Sequence, residues 1–274
     1  MSIKLSQLLL AAESLWPTAG AESWDAPGLV CGSGEQAVSR VLFTVDVTAA
    51  VVDEAIDGGF DLIIAHHPYL MRGVTTLNEQ TAKGAVIAKA IRHGVAILSA
   101  HTNADIVENG VSDVLARALG LSQGQPLVST DSSKNIGHGR VGNLAETVTL
   151  GDFARHIARV LPATATGVRV AGDYDREVSR VALCGGAGDS FISAAIDANA
   201  DVYVTSDLRH HPVQDVIELS ATGQTAPAII DISHWAAEWL WLEVAAQQMT
   251  GIFEGLQVVV SQLRTDPWDF VVTQ

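Results

Sequence analysis

The sequence predicts an α/β protein of two similar lobes related by internal duplication, and three observations carry that expectation. Ser39-Arg40-Val41 returns as Ser179-Arg180-Val181, 140 residues further on. At the same offset, without a gap, Ala55-Ile56-Asp57 meets Ala195-Ile196-Asp197 and Asp61 meets Asp201. Both copies read as strand, helix, strand, and both halves then supply a third apolar strand followed by an imidazole with an acid four residues later. The lobes are placed at 1–127 and 128–274, with the C-terminal segment free to pack back on the first lobe.

Taken in order, the elements begin with Ser6, read as the cap of an amphipathic helix that runs through Leu8-Leu9-Leu10. Ser39-Arg40-Val41-Leu42-Phe43 is a β-rich run. Val51, Val52, Ala55 and Ile56 follow at helical spacing, and Asp61-Leu62-Ile63-Ile64-Ala65 is a buried strand. Val95-Ala96-Ile97-Leu98-Ser99 is the third strand of the half. The second half repeats the plan with Ser179 to Leu183, then Phe191, Ile192, Ala195 and Ile196, then Val202-Tyr203-Val204, then Ala228-Ile229-Ile230-Asp231-Ile232. Parallel strands need a crossover between them, so this is a βαβ unit written twice. Gly185-Gly186-Ala187-Gly188 reads as a tight strand-to-helix turn, with a cradle of backbone N–H groups for an anion as the other reading.

Composition bounds the class. A chain of 274 residues with 48% hydrophobic and 17% charged residues can bury a large core in one or two domains. No apolar stretch reaches the ~18–20 residues of a membrane span, and the segment from Met1 to Leu10 lacks the basic, apolar and small-residue blocks of a secretory leader. Two cysteines, Cys31 and Cys184, make no disulfide framework and fit a reducing compartment. A soluble, cytoplasmic protein without a membrane partner is expected. The formal charge of −15 excludes broad nucleic-acid binding and serves solubility. Arg72, Arg209, His210 and His211 nevertheless form a local basic group close in sequence to the candidate site.

That site starts from His66-His67-Pro68, at the end of a buried strand. Neutral imidazole is the commonest side-chain ligand of transition metals, and open α/β folds place their chemistry at strand C-terminal edges. Two consecutive strand residues point to opposite faces unless the chain turns, which Pro68 favours. His101-Thr102-Asn103-Ala104-Asp105 and His234-Trp235-Ala236-Ala237-Glu238 each place an imidazole and a carboxylate at i and i+4, on one helix face. For Asp105 the alternative is a first-turn acid facing the helix dipole, and for His234 and Glu238 an exposed pair. His101 is open between ligand, orienter of a ligand and proton shuttle, and His211 likewise. His93, His138 and His156 are taken as structural or surface residues.

At these residues the chain resembles the Nif-three-like family, whose members carry the description GTP cyclohydrolase 1 type 2 homologue. The three motifs just quoted look like its metal motifs. Trp24-Asp25-Ala26-Pro27-Gly28-Leu29 is similar to its N-terminal signature, in which Asn more often follows the Asp. Thr205-Ser206-Asp207-Leu208-Arg209-His210-His211 resembles its Thr-Gly-Asp loop, and Thr265-Asp266-Pro267-Trp268 its closing motif. The resemblance implies two α/β lobes with a dinuclear metal site in the cleft between them, ligated by His66, His67, Asp105, His234 and Glu238. It also implies a ring-shaped homohexamer. Some members insert a further domain between the lobes, for which this chain has no room. Ser206 and Ser233 stand where the family usually has Gly, which puts the local backbone conformation in question.

Three imidazoles and two carboxylates on two ions suit Zn²⁺, Mn²⁺, Fe²⁺ or Co²⁺. Five ligands leave open positions for water, acidified toward a pKa of ~7. The expected chemistry is hydroxide attack on an electrophilic carbon of a small molecule. In the cyclohydrolase reading that carbon is C8 of the guanine ring of GTP, with His101 or His211 moving protons and Arg72 or Arg209 pairing with triphosphate. The alternatives are a metal-dependent phosphoester or amide hydrolase, and a non-catalytic metal-binding or regulatory ring protein.

Overall fold

The computed structural model describes residues 2–131 and 135–273. The chain opens with β1 (Ile3–Lys4), α1 (Leu5–Leu15), β2 (Gly28–Cys31), β3 (Ala37–Val38), β4 (Arg40–Thr44), α2 (Ala49–Asp57), β5 (Leu62–Ala65), α3 (Ala82–Arg92), β6 (Ala96–Ser99) and α4 (Thr102–Asp105). It continues through α5 (Val111–Ala118), β7 (Ser122–Gln125), β8 (Val128–Asp131), β9 (Ile136–His138), β10 (Arg140–Thr149), α6 (Leu150–Val160) and β11 (Arg169–Ala171). The remainder is β12 (Glu177–Ala187), α7 (Ile192–Asp197), β13 (Val202–Ser206), α8 (His210–Ala221), β14 (Ala228–Ile232), α9 (His234–Ile252) and β15 (Gln257–Val260). Among the described residues, no helix is long and apolar enough to cross a membrane.

Two compact units form, Met1–Ala104 with Leu242–Thr265 and Asp105–Trp241 with Asp266–Gln274. This division departs from a boundary at residue 127. Residues 105–127 fall in the second unit because α5 packs on β12, β10 and β7. Residues 242–265 fall in the first because β15 pairs in parallel with β4.

The first unit holds a five-stranded sheet of order β15-β4-β5-β6-β2, parallel except for β2. Buried Val51, Val52 and Ala55 of α2, with Val86, Ile87 and Ala90 of α3, pack on Leu42, Ile63 and Ile97 of the sheet. Thr48 and Thr81 cap these helices, accepting from Val51 N and Gly84 N. The first helix departs from the expectation at Ser6. The pairing of Ile3 and Lys4 with Val38 and Ala37 makes Lys4 the N-cap, and Ser6 lies inside α1.

The second unit holds a six-stranded sheet of order β11-β14-β13-β12-β10-β7. Only β12, β13 and β14 are parallel, and β7, β10 and β11 run antiparallel to their neighbours. The duplication is therefore a shared β-α-β-α-β core with different flanking strands. Within that core its registry is maintained. Val41 pairs with Leu62 and Val181 with Val202, and the next two pairs keep the same offset in each sheet. Both first crossover helices end on a left-handed residue, Gly59 (φ 65°) and Asn199 (φ 52°), the residue types that tolerate it.

The recurrence of Ser39 and Asp61 as Ser179 and Asp201 has one physical cause. Asp61 Oδ2 accepts from Ser39 N (2.7 Å), Ser39 Oγ (2.9 Å) and Arg40 N (3.0 Å). Asp201 Oδ2 accepts from Ser179 N (2.9 Å), Ser179 Oγ (3.2 Å) and Arg180 N (2.7 Å). Ala96 N and Ala228 N donate to the backbone carbonyls of the same aspartates, at 2.9 Å each. One residue thus ties three neighbouring parallel strands together in each unit, at their starts in the first unit and two residues inside β12 in the second. Asp61→Asn or Asp201→Asn removes charge-assisted bonds and is expected to cost about 1.5–3 kcal/mol each, read from the midpoint of urea denaturation.

Candidate metal centre

In the first unit three of the parallel strands, β4, β5 and β6, deliver Asp46, His66-His67 and His101 from the loops at their C-terminal ends. The backbone bends at His66 and His67, while their N–H groups still donate to Thr44 O (3.0 Å) and Val45 O (2.9 Å) alongside β4. The bend brings both rings to one side, with centroids 5.1 Å apart. His101 completes a triangle, its ring 5.2 Å from His66 and 5.4 Å from His67. One ligand atom from each of the three lies within 4.8 Å of the others.

Each Nδ1 of this triangle donates to a group that can only accept. His66 Nδ1 donates to Ala100 O (2.8 Å), His67 Nδ1 to Asp46 Oδ1 (2.7 Å) and His101 Nδ1 to Asp25 Oδ1 (2.8 Å). The proton is held at Nδ1, so in the neutral ring it is Nε2 that carries the lone pair a cation needs. The His-Thr-Asn run explains itself here. Thr102 donates through its N–H (3.1 Å) and its hydroxyl to Asp25 Oδ2, and Asn103 accepts from His101 N (2.9 Å) and donates to Trp16 O (2.7 Å). Burial opposes the charge on Asp25, but the bonds from His101 and Thr102 outweigh it and hold the carboxyl below the usual carboxylate range.

The second unit builds its own cluster at the ends of β12, β13 and β14. His234 opens α9 with Glu238 one turn later, Nε2 to Oε1 2.9 Å apart. Asp207, in a left-handed conformation (φ 58°), accepts from His234 Nδ1 at 2.7 Å. Burial works against the cationic imidazole, yet Glu238 and Asp207 prevail and hold His234 well above its ordinary pKa. Asp105 and Glu238 both lie close to buried Cys184, whose thiol is pushed up to about 12 by burial and then by these carboxylates. The chain following Asp105 is pinned by Arg140, whose side chain is fully buried. All its donors are used, on Ile106 O, Val107 O, Gly137 O, Gly139 O and Asp113 Oδ1.

The glycine cluster serves close packing. A Cβ on Gly186 (φ 72°) would sit 2.7 Å from Glu238 Oε1, and one on Gly185 2.6 Å from Val111 Cγ1. A carboxylate against this backbone is inconsistent with an anion cradle there. The serines in place of family glycines are accommodated, since neither Ser206 nor Ser233 takes a positive φ. Ser206 ends β13, and Ser233 Oγ accepts from Ala236 N at the start of α9 (3.2 Å) while donating to Asp266 (2.5 Å).

The structure thus gathers His66, His67 and His101 in one unit and His234 with Glu238 in the other. Arg72 is exposed after the His-His-Pro turn, and Arg209 pairs with Asp189 at 2.7 Å on the surface. His210 and His211 stack edge to face at the exposed start of α8, and His211 joins neither cluster. His93 donates to Lys89 O, and His138 and His156 stack on Phe191 and Phe153. The sequence reasoning missed Asp46 as an orienting residue. Its position just past β4, opposite two strand-end imidazoles, was the available signal. Thr265 donates to the other Asp46 oxygen at 2.6 Å, which gives the closing motif a role. In the second unit an acceptor-backed imidazole, a buried carboxylate beside it and a glycine that makes room for that carboxylate fit a transition-metal cation.

A family model described as Duf34/NIF3 (NGG1p interacting factor 3) matches residues 3–267. A Streptomyces coelicolor protein named GTP cyclohydrolase 1 type 2 homolog is 45% identical over 271 residues, covering 97% of this chain and 93% of its own. A Mycobacterium leprae protein of the same name is 31% identical over 376 aligned positions, covering 98% of this chain and 96% of its own, so it carries a long insertion that is absent here. The crystal structure of a Bacillus cereus protein related to NIF3 superposes with a TM-score of 0.89 at 26% identity, covering 98% of this chain and 99% of that one.

Two outcomes test the cluster in the second unit. Gly186→Ala forces a side chain into a left-handed position and against Glu238. It is expected to cost about 1–3 kcal/mol and to lower bound zinc, read by thermal denaturation and elemental analysis. A cation taken up at His234 Nε2 would displace the proton there. Zinc affinity therefore rises with pH through the raised His234 pKa, and calorimetry in buffers of different ionisation enthalpy should detect proton release. In metal-free protein the sign reverses. The His234 contribution is full below its ordinary pKa near 6.5 and is lost as pH rises through the raised value.

Proposed function

The chain belongs to the Duf34/NIF3 family, and from that premise we propose that it is a metal-dependent, hydrolase-like protein acting on a small molecule. In this reading His66, His67, Asp105, His234 and Glu238 hold two divalent ions of the Zn²⁺, Mn²⁺, Fe²⁺ or Co²⁺ type. The observation that carries it is the His66-His67 pair, its ring centroids 5.1 Å apart and each Nδ1 committed to an acceptor. When bound, such ions supply Lewis acidity, acidifying water and polarising an electrophile.

The chain's own residues do the rest. Asp25 and Asp46 fix the rings of His101 and His67, so their Nε2 atoms stay aimed without reorganisation. His101, buried and backed by a carboxylate, is the residue suited to accept or return a proton at Nε2. The name shared by the relatives points the substrate toward a nucleotide such as GTP.

A non-catalytic, metal-binding or regulatory role is the second reading, and one observation favours it. His211, considered for proton transfer, stands outside both clusters. Turnover separates the two. Metal-loaded protein is expected to release formate from GTP or to cleave a member of a phosphoester and amide panel. His66→Ala combined with Glu238→Ala should then lower the rate by at least about 10²-fold, the scale of a single catalytic group. Two ions per chain with no turnover on any substrate would establish the binding role, and activity surviving the double substitution would overturn the metal mechanism.

A further inference from the structure

In the second unit, edge strand β11, the end of β14 and the start of α8 enclose a cavity of about 350 Å³, the size of a small-molecule site. Arg169 and Arg209 line it together with Val170, Val213 and Ile217. The apolar wall is open to solvent, with Val170 42% and Ile217 44% exposed.

Both arginines are held from behind. Arg169 donates from Nη2 to Asp231, whose side chain is nearly buried, and Arg209 from Nη2 to Asp189 at 2.7 Å. Each ion pair uses one corner of its guanidinium, and the Nε and Nη1 donors meet no acceptor among the described residues. Both arginine side chains are largely exposed, 66% and 78%, and beside exposed apolar side chains their guanidinium groups form an anion subsite next to an apolar one. The cavity adjoins the cluster already described. Arg209 shares its loop with Asp207, which holds His234, and Asp231 shares a strand end with His234.

We propose that this cavity binds a small phosphorylated compound with an apolar or aromatic body. The phosphoryl oxygens accept from Arg169 and Arg209, and the body covers Val170, Val213 and Ile217. The site stands independently of the metal reading, since none of these residues is a proposed ligand.

Calorimetric titration of the whole chain with phenyl phosphate and with inorganic phosphate tests it. Phenyl phosphate is expected to bind more tightly. Arg169→Gln and Arg209→Gln should each weaken both probes by about tenfold, while Ile217→Ser weakens phenyl phosphate alone. Arg169→Gln leaves the Asp231 carboxylate without its partner, so Arg169→Gln combined with Asp231→Asn provides a folded variant with the same expected loss. Equal affinities in wild type and arginine variants, or no binding of either probe, overturn the proposal. Chelator-treated protein separates the two readings. Arginine-dependent binding that survives chelation supports the cavity. Binding that disappears with the metal and ignores the arginines places the phosphate on the ions, which overturns the cavity and leaves the metal reading standing.

Discussion

The architecture of each unit depends on one carboxylate at the start of the middle strand of the repeated β-α-β-α-β core. Asp61 and Asp201 bond to a Ser-Arg pair of the preceding strand, which opens β4 in the first unit, and their backbone carbonyls receive the first residue of the following one. In the first unit three strand starts are levelled at one point. The strands β4, β5 and β6 are four or five residues long, so level starts produce level ends. The loops at those ends emerge side by side, and every residue of the first cluster other than Asp25 leaves from them.

Above that frame, orientation is set by acceptors rather than by the ligands themselves. A backbone carbonyl and three carboxylates, Asp25, Asp46 and Asp207, each take the Nδ1 proton of one imidazole. Such partners raise ligand basicity and remove rotational freedom, so a cation meets nitrogens already aimed. The same economy recurs at Arg140, where a buried cation has an acceptor for every donor and anchors the chain leaving Asp105. Breaking any of these supports leaves a polar group buried without its partner, which is the costly outcome.

Much of this was legible in the sequence for physical reasons. A β-α-β-α-β core imposes apolar strands and helical spacing, and a duplication preserves the residues that bond to backbone. Ser39 and Asp61, whose side chains make these bonds, therefore survive in the second copy while most packing side chains have changed. The strand-end imidazoles and the i,i+4 His-Glu pair were legible because their spacing maps directly onto local geometry. Asp46 was not, because its role comes from a neighbouring strand. The flanking strands β7, β10 and β11 were also missed, since pairing direction is decided by which segment packs beside which. The unit boundary shifted for the same reason, as β15 pairs with β4 from the far end of the chain.

The sequence by itself determined the repeated α/β core, the candidate ligand residue types and the strand ends that carry them, because each follows from local periodicity and chemistry. Only the tertiary structure decided which nitrogen of each imidazole is committed, that His101 joins His66 and His67, and that Gly186 makes room for Glu238. Those outcomes depend on contacts between segments far apart in the chain, whose distances no local pattern encodes.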